Sequence, residues 1–169
     1  IEVRRQTEVV TNQFQALSSD KLLRTTDSGG WSVIQNLEHL NLYYAYYNLA
    51  IKQSIKKANK DKNASTFTSG WLGNYFTNSM DYRGKGKVKA FKDYIPKEAL
   101  NPKAVMDNFI ANQEELIRLL DEAKDYNLTK IKVAISLTKW IKMKLGDVFQ
   151  FVIMFIQCIY SLISELKKK

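Results

Sequence analysis

Two segments in the first third of the chain show the apolar spacing of amphipathic helices. The earlier one predicts a helix from about Val3 to Ser18, through the apolar positions Val3, Val10, Phe14 and Leu17. The later one predicts a helix that runs to about Lys57, because steps of four and three residues separate Val33, Leu37, Leu40, Tyr44, Tyr47 and Ile51. Ser32 and Gln35 have the spacing of a capping box, in which each side chain bonds to the backbone amide of the other residue. We therefore expect the second helix to begin sharply after Ser32.

Two further helices are predicted in the second half of the chain. Asn101 and Pro102 suit the cap and the first position of a third helix. Its apolar face follows at Val105, Phe109, Leu116 and Leu120. A fourth helix should begin near Leu145, with Asp147 as a candidate cap, and should end at Glu165 before the run Lys167-Lys168-Lys169. Lysines at that end suit the negative pole of the helix dipole.

The connections between these helices are long and partly extended. Within residues 58–99, Gly70-Trp71-Leu72-Gly73 predicts a short packed turn of helix. Period-two alternation predicts extended chain with one basic face at Arg83, Lys85, Lys87 and Lys89. The chain after the third helix is also predicted to be extended and basic, because Ile131, Val133 and Ile135 alternate with Lys130, Lys132 and Ala134. The pattern as a whole predicts an all-α, up-down four-helix bundle with long, partly extended connections, built as a single domain over residues 1–169.

The net charge of the chain indicates candidate binding partners, and its cysteine content bears on the cellular compartment. A net charge of +9 favours anionic partners, and the two basic segments with nearby aromatic residues are consistent with binding to nucleic acid or to an anionic surface. The ordinary role of such lysines is a solvated surface. Cys158 is the only cysteine, which excludes an intramolecular disulfide, and residues 1–20 carry charges throughout, unlike a signal peptide. We expect a cytoplasmic protein.

The segment from Val148 to Ile163 is strongly apolar and carries no charged side chain. Its 16 residues fall short of the roughly 20 that a membrane-spanning helix needs, and Gln150, Gln157 and Ser161 share one side of it. We therefore interpret it as a central helix of the bundle and expect no membrane span. So apolar a surface also suggests that part of it contacts a second copy in a homodimer.

Short motifs in a fixed order now identify a family resemblance. Trp31-Ser32 followed by His39-Leu40 fits a W-S-x(6)-H-L pattern, and residues Lys144–Phe151 resemble the opening of a last helix. In these motifs, over essentially its whole length, the chain resembles the DinB/YfiT-like superfamily. The resemblance implies a four-helix bundle of DinB/YfiT type, often dimeric, and a family name that refers to DNA damage-inducible proteins. It also implies a divalent metal, commonly nickel or zinc, held by one histidine of helix two and an H-x-x-x-H pair of helix four.

Only one of the three implied metal ligands is present. His39 occupies the helix-two position, whereas Phe155 and Ile159 fall on the two helix-four positions and Cys158 on a neighbouring arginine position. Phe155 and Ile159 have no lone pairs for a metal, and a tight site needs three or four donors. A replacement set with Glu38 and Cys158 is poorly aimed, because Glu38 and His39 are adjacent on a helix and face different ways. We expect a degenerate metal site and no cofactor, with Ni²⁺ or Zn²⁺ at His39 as the alternative.

Three functional hypotheses follow, and the sequence assigns no catalytic residue. A lone histidine on an apolar helix is most often a hydrogen-bonded core residue, while its functional role would be that of a base or binding group in a pocket. The candidate pocket comprises Trp31, His39, Tyr43, Phe155 and Ile159. The favoured hypothesis is a non-catalytic binding or interaction protein with a small apolar ligand in this pocket. The alternatives are a metal- or thiol-dependent transferase or hydrolase of the same superfamily, and a binder of nucleic acid or an anionic surface.

Overall fold

Helices make up most of the residues that the structure describes. The computed structural model describes residues 2–25, 30–61, 67–79 and 90–154. Its helices are α1 (Glu2–Gln15), α2 (Ser19–Leu23), α3 (Val33–Lys56), α4 (Trp71–Ser79), α5 (Pro102–Glu122) and α6, of which residues 145–154 are described. Short 3₁₀ turns cover Lys92–Tyr94 and Ala123–Asp125, and two strands, β1 (Lys132–Ile135) and β2 (Thr138–Lys144), lie between α5 and α6.

The two longest helices among the described residues, α3 and α5, begin at the predicted caps. The hydroxyl of Ser32 accepts from the backbone amide of Gln35 at 3.2 Å, and the Ser32 amide donates to Gln35 Oε1 at 2.9 Å. The Asn101 side chain accepts from the amide of Ala104 at 3.1 Å, with Pro102 in the first helical position. Each side chain thus satisfies an amide that the first turn of a helix leaves without a backbone partner. The predictions for α3 and α5 are confirmed.

Apolar faces of the helices meet in one hydrophobic cluster. α3 packs most extensively against α5, and α1 packs against the same helix. The predicted stripe of α3 is buried throughout, and α1, α5 and α6 add further buried side chains, among them Val10, Phe14, Phe109, Leu116, Val148 and Val152. The 3.6-residue period of the sequence therefore identified the inward faces of these helices correctly.

Two local predictions near helix ends are wrong. The first helix ends at Gln15, and Ser18 occupies the cap position of the separate helix α2 instead of closing α1. Asp147 lies inside α6, which begins at residue 145, and is not its cap. Its carboxylate accepts from Ser69 and Gly70, the residues that lead into α4. A side chain suited to capping one helix here ties that helix to another segment.

The extended connection after α5 is a β-hairpin, so the fold is mostly but not purely α. β1 and β2 pair antiparallel, with Lys132 opposite Lys144 and Val133 opposite Met143. Val133 and Met143 are buried, and β1 packs against α3. Alternation of apolar and basic residues therefore gives one buried and one exposed face, and pairing satisfies the backbone groups that an isolated strand would leave open.

Other sequence predictions fall outside the described residues. These are the extended basic segment at residues 83–89 and the fourth helix beyond residue 154, with Phe155, Cys158 and Ile159. In the part of the chain that is described, no helix is both long and apolar enough to cross a membrane.

Candidate functional site

The single histidine of the chain is held by a backbone carbonyl. His39 lies half-buried on α3, and its Nδ1 is 2.6 Å from the carbonyl oxygen of Tyr94, which follows α4 and precedes α5 in the chain. A carbonyl oxygen can only accept a hydrogen bond, so Nδ1 carries the proton. The neutral imidazole then presents a lone pair at Nε2. This bond fixes both the tautomer and the orientation of the ring.

Aromatic rings surround this imidazole. The Trp31 ring lies 4.9 Å from it, centroid to centroid, and the Tyr43 ring lies 5.0 Å away in an edge-on arrangement. Tyr43 in turn stacks on Tyr94 at 4.0 Å, with the two rings only 9° from parallel. Tyr43 is one helical turn after His39, which explains their contact, and the stacking brings the 3₁₀ turn of Tyr94 against α3.

A second layer of hydrogen bonds links this site to the hairpin. The Tyr47 hydroxyl donates to Ser136 Oγ at 3.3 Å and accepts from the Ser136 amide at 3.2 Å. The Ser136 side chain also lies close to the Tyr94 phenol, where it offsets part of the rise in the pKa of Tyr94. Phe151 of α6 meets the Tyr47 ring edge-on at 5.6 Å. The site therefore lies where α3, α6, the Tyr94 turn and the hairpin turn come together.

Burial keeps the ionisable groups of the site neutral. It lowers the pKa of His39 below its ordinary 6.5, and the bond to the Tyr94 carbonyl offsets this in part. Burial, helped by the neighbouring phenols of Tyr94 and Tyr47, raises the pKa of Tyr43 to about 12. The pKa values of Tyr47 and Tyr94 are raised for the same first reason. At neutral pH the site thus combines a hydrogen-bond acceptor at His39 Nε2 with protonated phenols.

The structure brings together three of the five predicted pocket residues, because the His39 ring contacts both Trp31 and Tyr43. Phe155 and Ile159 lie outside the described residues. The sequence prediction did not include Tyr94, Tyr47 or Ser136. The contact of Tyr94 with His39 spans 55 positions of sequence and has no local signal.

The residues present do not fit the three-histidine metal site that the family resemblance implies. Within the described ranges, no three His, Cys, Asp or Glu side chains converge on one point. Glu38, the neighbour of His39, accepts from Asn41, which also donates to the Val105 carbonyl of α5, so this carboxylate is engaged on a different side of α3. Phenylalanine and isoleucine stand at positions 155 and 159, where the resemblance implies histidines. Four-coordinate metal binding requires donors that this set lacks.

Comparison with known proteins provides a family. A family model of the DinB superfamily matches residues 2–156. Neither the search of curated proteins nor the search of solved structures finds a match. The match extends from the first helix into α6 and includes every described part of the site. On this match, the chain belongs to the DinB superfamily.

Proposed function

We propose that this DinB-superfamily protein is a non-catalytic binding protein that accepts a small, largely apolar ligand beside His39. The observation that carries the proposal is the bond between His39 Nδ1 and the Tyr94 carbonyl. This bond leaves Nε2 as the one unprotonated acceptor of the imidazole, and the rings of Trp31 and Tyr43 contact the same imidazole. One polar group among aromatic walls is typical of a small-molecule pocket.

The chemistry of the site supports binding over acid–base catalysis by its phenols. General acid–base catalysis needs groups whose pKa values lie near the working pH, whereas burial moves the pKa of Tyr43 to about 12. A ligand with one O–H or N–H donor would satisfy Nε2 and place its apolar part against Trp31. We propose that no metal or other cofactor takes part, because His39 has no companion donor in the family positions.

For the architecture as a whole, we propose a single-domain, up-down four-helix bundle formed by α1, α3, α5 and α6. The common hydrophobic cluster to which all four contribute supports this. We also propose a homodimer formed through the bundle helices, on the strength of the apolar sequence around Val148–Ile163. Sedimentation analysis of the intact chain tests this, because a monomer at micromolar concentration would contradict it.

Metal titration is the first experiment. Tag-free protein is titrated with Ni²⁺ and Zn²⁺ by calorimetry, beside His39→Ala. We expect no stoichiometric uptake by either protein. Tight uptake that His39→Ala abolishes would refute the cofactor-free proposal and would favour the metal- or thiol-dependent transferase or hydrolase of the same superfamily.

Ligand binding is tested with phenol as a small aromatic donor. Because His39 is the only histidine, its ring signals in NMR spectra are unambiguous. We expect phenol to shift them, and His39→Asn to weaken binding about tenfold, the worth of one hydrogen bond. Asparagine can still donate to the Tyr94 carbonyl but has no counterpart of Nε2. An unchanged His39 spectrum at millimolar phenol, or equal affinity in His39→Asn, would contradict the proposal.

A further inference from the structure

The β-hairpin contains a bulge, at which three residues of β2 have no partner in β1. Ala134 is opposite Lys142, and the next residue of β1, Ile135, is opposite Thr138. Residues 139–141 therefore have no partners in the register of β1. Bulges of this kind bend a strand and redirect its side chains. Here the bulge lies directly beside the turn at residues 136–137.

The side chains around this bulge are large, apolar and exposed. Trp140 is 95% exposed, Ile141 45% and Leu137, in the adjoining turn, 42%. We call Leu137, Trp140 and Ile141 the apolar tip. Single exposed apolar residues are common on proteins, but three within five positions of one hairpin are the kind of feature that marks an interaction site. A partner of the apolar tip should therefore have an apolar region that can bury these three side chains.

A groove rich in lysine adjoins the apolar tip. It has a volume of about 1080 Å³ and lies between the second half of α3 and the hairpin. Half-buried Tyr46, Ala50, Ser54 and Ala134 are among its lining residues. Its exposed cations are Lys57, Lys60, Lys130, Lys132, Lys139 and Lys142. We call this cavity, with its six lysines, the lysine groove. Two of them, Lys139 and Lys142, flank Trp140 and Ile141 of the apolar tip along β2.

Few acidic groups compensate this charge. Asp61 is the one carboxylate among the described residues that line the groove, and Lys130 approaches it at 3.1 Å. Lys60 pairs with Asp125 at 2.7 Å. The remaining four lysines of the groove form no ion pair with any residue that the structure describes. The surface therefore carries a local excess of positive charge beside exposed apolar side chains.

We propose that the hairpin docks this protein on an anionic lipid surface, with the apolar tip inserted at the headgroup boundary and the lysine groove facing lipid phosphates. Tryptophan is favoured at membrane interfaces, and lysines near an anionic leaflet each contribute about 1 kcal/mol. Insertion of Trp140, Ile141 and Leu137 would remove apolar surface from water. The two contributions are complementary, as in other peripheral proteins that combine charge with shallow insertion.

The apolar tip favours lipid over nucleic acid as the partner. Single-stranded nucleic acid binds to grooves that pair cations with aromatic stacking platforms. Trp140 could stack on a base, but Ile141 and Leu137 have no aromatic face and would stay exposed to water. Insertion at a lipid boundary uses all three. The groove also lacks arginine among its described lining residues, and lysine suffices for phosphate charge without specific recognition.

The test measures partition of the intact protein onto vesicles. Vesicles of phosphatidylglycerol mixed with phosphatidylcholine are compared with pure phosphatidylcholine, by co-sedimentation at low and high salt. We expect binding to the anionic vesicles only, weakened by salt. Trp140→Ser/Ile141→Ser should weaken binding more than tenfold. Lys139→Gln/Lys142→Gln should weaken it about 25-fold, at about fivefold for each lysine.

Matched controls separate this site from net charge and from exposed tryptophan in general. Lys21→Gln/Lys97→Gln removes the same charge from exposed positions outside the groove, and Trp71→Ser removes the 80% exposed tryptophan of α4. Both should bind as the parent protein does. Because all substituted side chains are exposed, circular dichroism should show an unchanged fold for every variant.

Three results would overturn the proposal. The first is no binding of the parent protein to anionic vesicles at low salt. The second is equal loss in the control and hairpin variants, which would indicate net charge alone. The third is full vesicle binding by Trp140→Ser/Ile141→Ser, together with lysine-dependent binding of a labelled oligothymidylate, which would assign the groove to nucleic acid.

Discussion

Replacement of Gly73 by alanine should destabilise the protein, against the usual trend for helices. Gly73 is a buried position of α4, and a Cβ built on it would overlap the side chain of Asp147 on α6. Asp147 is only 2% exposed, and its carboxylate accepts from Ser69 Oγ at 2.5 Å and from the Gly70 amide at 3.1 Å. The added methyl group can be accommodated only if Asp147 moves away from these donors.

The expected cost follows from the bonds that this movement breaks. Hydrogen bonds to a charged group are worth about 1.5–3 kcal/mol each, so loss or distortion of the two bonds should cost about 3 kcal/mol or more. Alanine in place of glycine within a helix raises the free energy of unfolding by about 1 kcal/mol. We therefore expect Gly73→Ala to lower the free energy of unfolding by about 2 kcal/mol.

A double-mutant cycle identifies Asp147 as the cause. The rescuing substitution must be Asp147→Gly, because the Cβ of Asp147 is itself among the atoms that the new methyl group would meet. In that background Gly73→Ala should stabilise by about 1 kcal/mol, which gives a coupling energy of about 3 kcal/mol. Urea unfolding followed by circular dichroism measures all four proteins.

A neighbouring glycine provides the control. A Cβ on Gly70 would lie 3.2 Å from Asp147 Oδ2, a tight contact without overlap, so Gly70→Ala should cost less than Gly73→Ala. Stabilisation by Gly73→Ala in the parent protein would refute the reasoning. So would a penalty that persists unchanged beside Asp147→Gly.

Three further substitutions test the caps, the histidine and the core. Ser32→Ala should lower the free energy of unfolding by about 1 kcal/mol in urea titrations, because it removes an acceptor for the amide of Gln35, and an unchanged midpoint would contradict this. The lowered pKa of His39 means that the unfolded chain binds more protons below pH 6.5, so stability should fall as pH drops through that value. His39→Asn should remove this slope, and a slope that persists would point to other groups. Gln113→Leu should stabilise by about 1–3 kcal/mol in thermal unfolding, because Gln113 is fully buried and neither of its side-chain polar atoms bonds to a described residue, and a loss of stability would disprove that reasoning.

Local signals in the sequence predicted the elements with defined ends. α3 and α5 start where the sequence indicated, because Ser32 with Gln35 and Asn101 with Pro102 act within one turn. Ser18 shows the limit of such signals. A serine can close one helix or open the next, and only the structure distinguishes the two.

Features that depend on distant pairing were not predictable in the same way. Alternation in β1 indicated extended chain, but the residues of β2 do not alternate through the bulge, so the hairpin had no clear signal. Asp147 has the residue type of a cap, and its true partners, Ser69 and Gly70, lie 78 and 77 positions away. The candidate site likewise has one part that local spacing predicts and one part that only the fold brings together. Spacing along one helix placed His39 beside Tyr43, whereas Tyr94 joins them only through the fold.

The hairpin connects the two proposed sites, and its bonds predict that they act independently. Ser136 is held at the base of the turn by two hydrogen bonds with Tyr47, whose phenol lies near that of Tyr43 beside His39. Trp140 lies in the bulge, is 95% exposed and forms none of these bonds through its side chain. Substitution of Trp140 should therefore leave the NMR signals of His39 in place while it weakens vesicle binding. If the His39 signals shift as well, the turn couples the two surfaces. Ligand binding beside His39 should then change the affinity for vesicles by the same factor by which vesicle binding changes the affinity for the ligand.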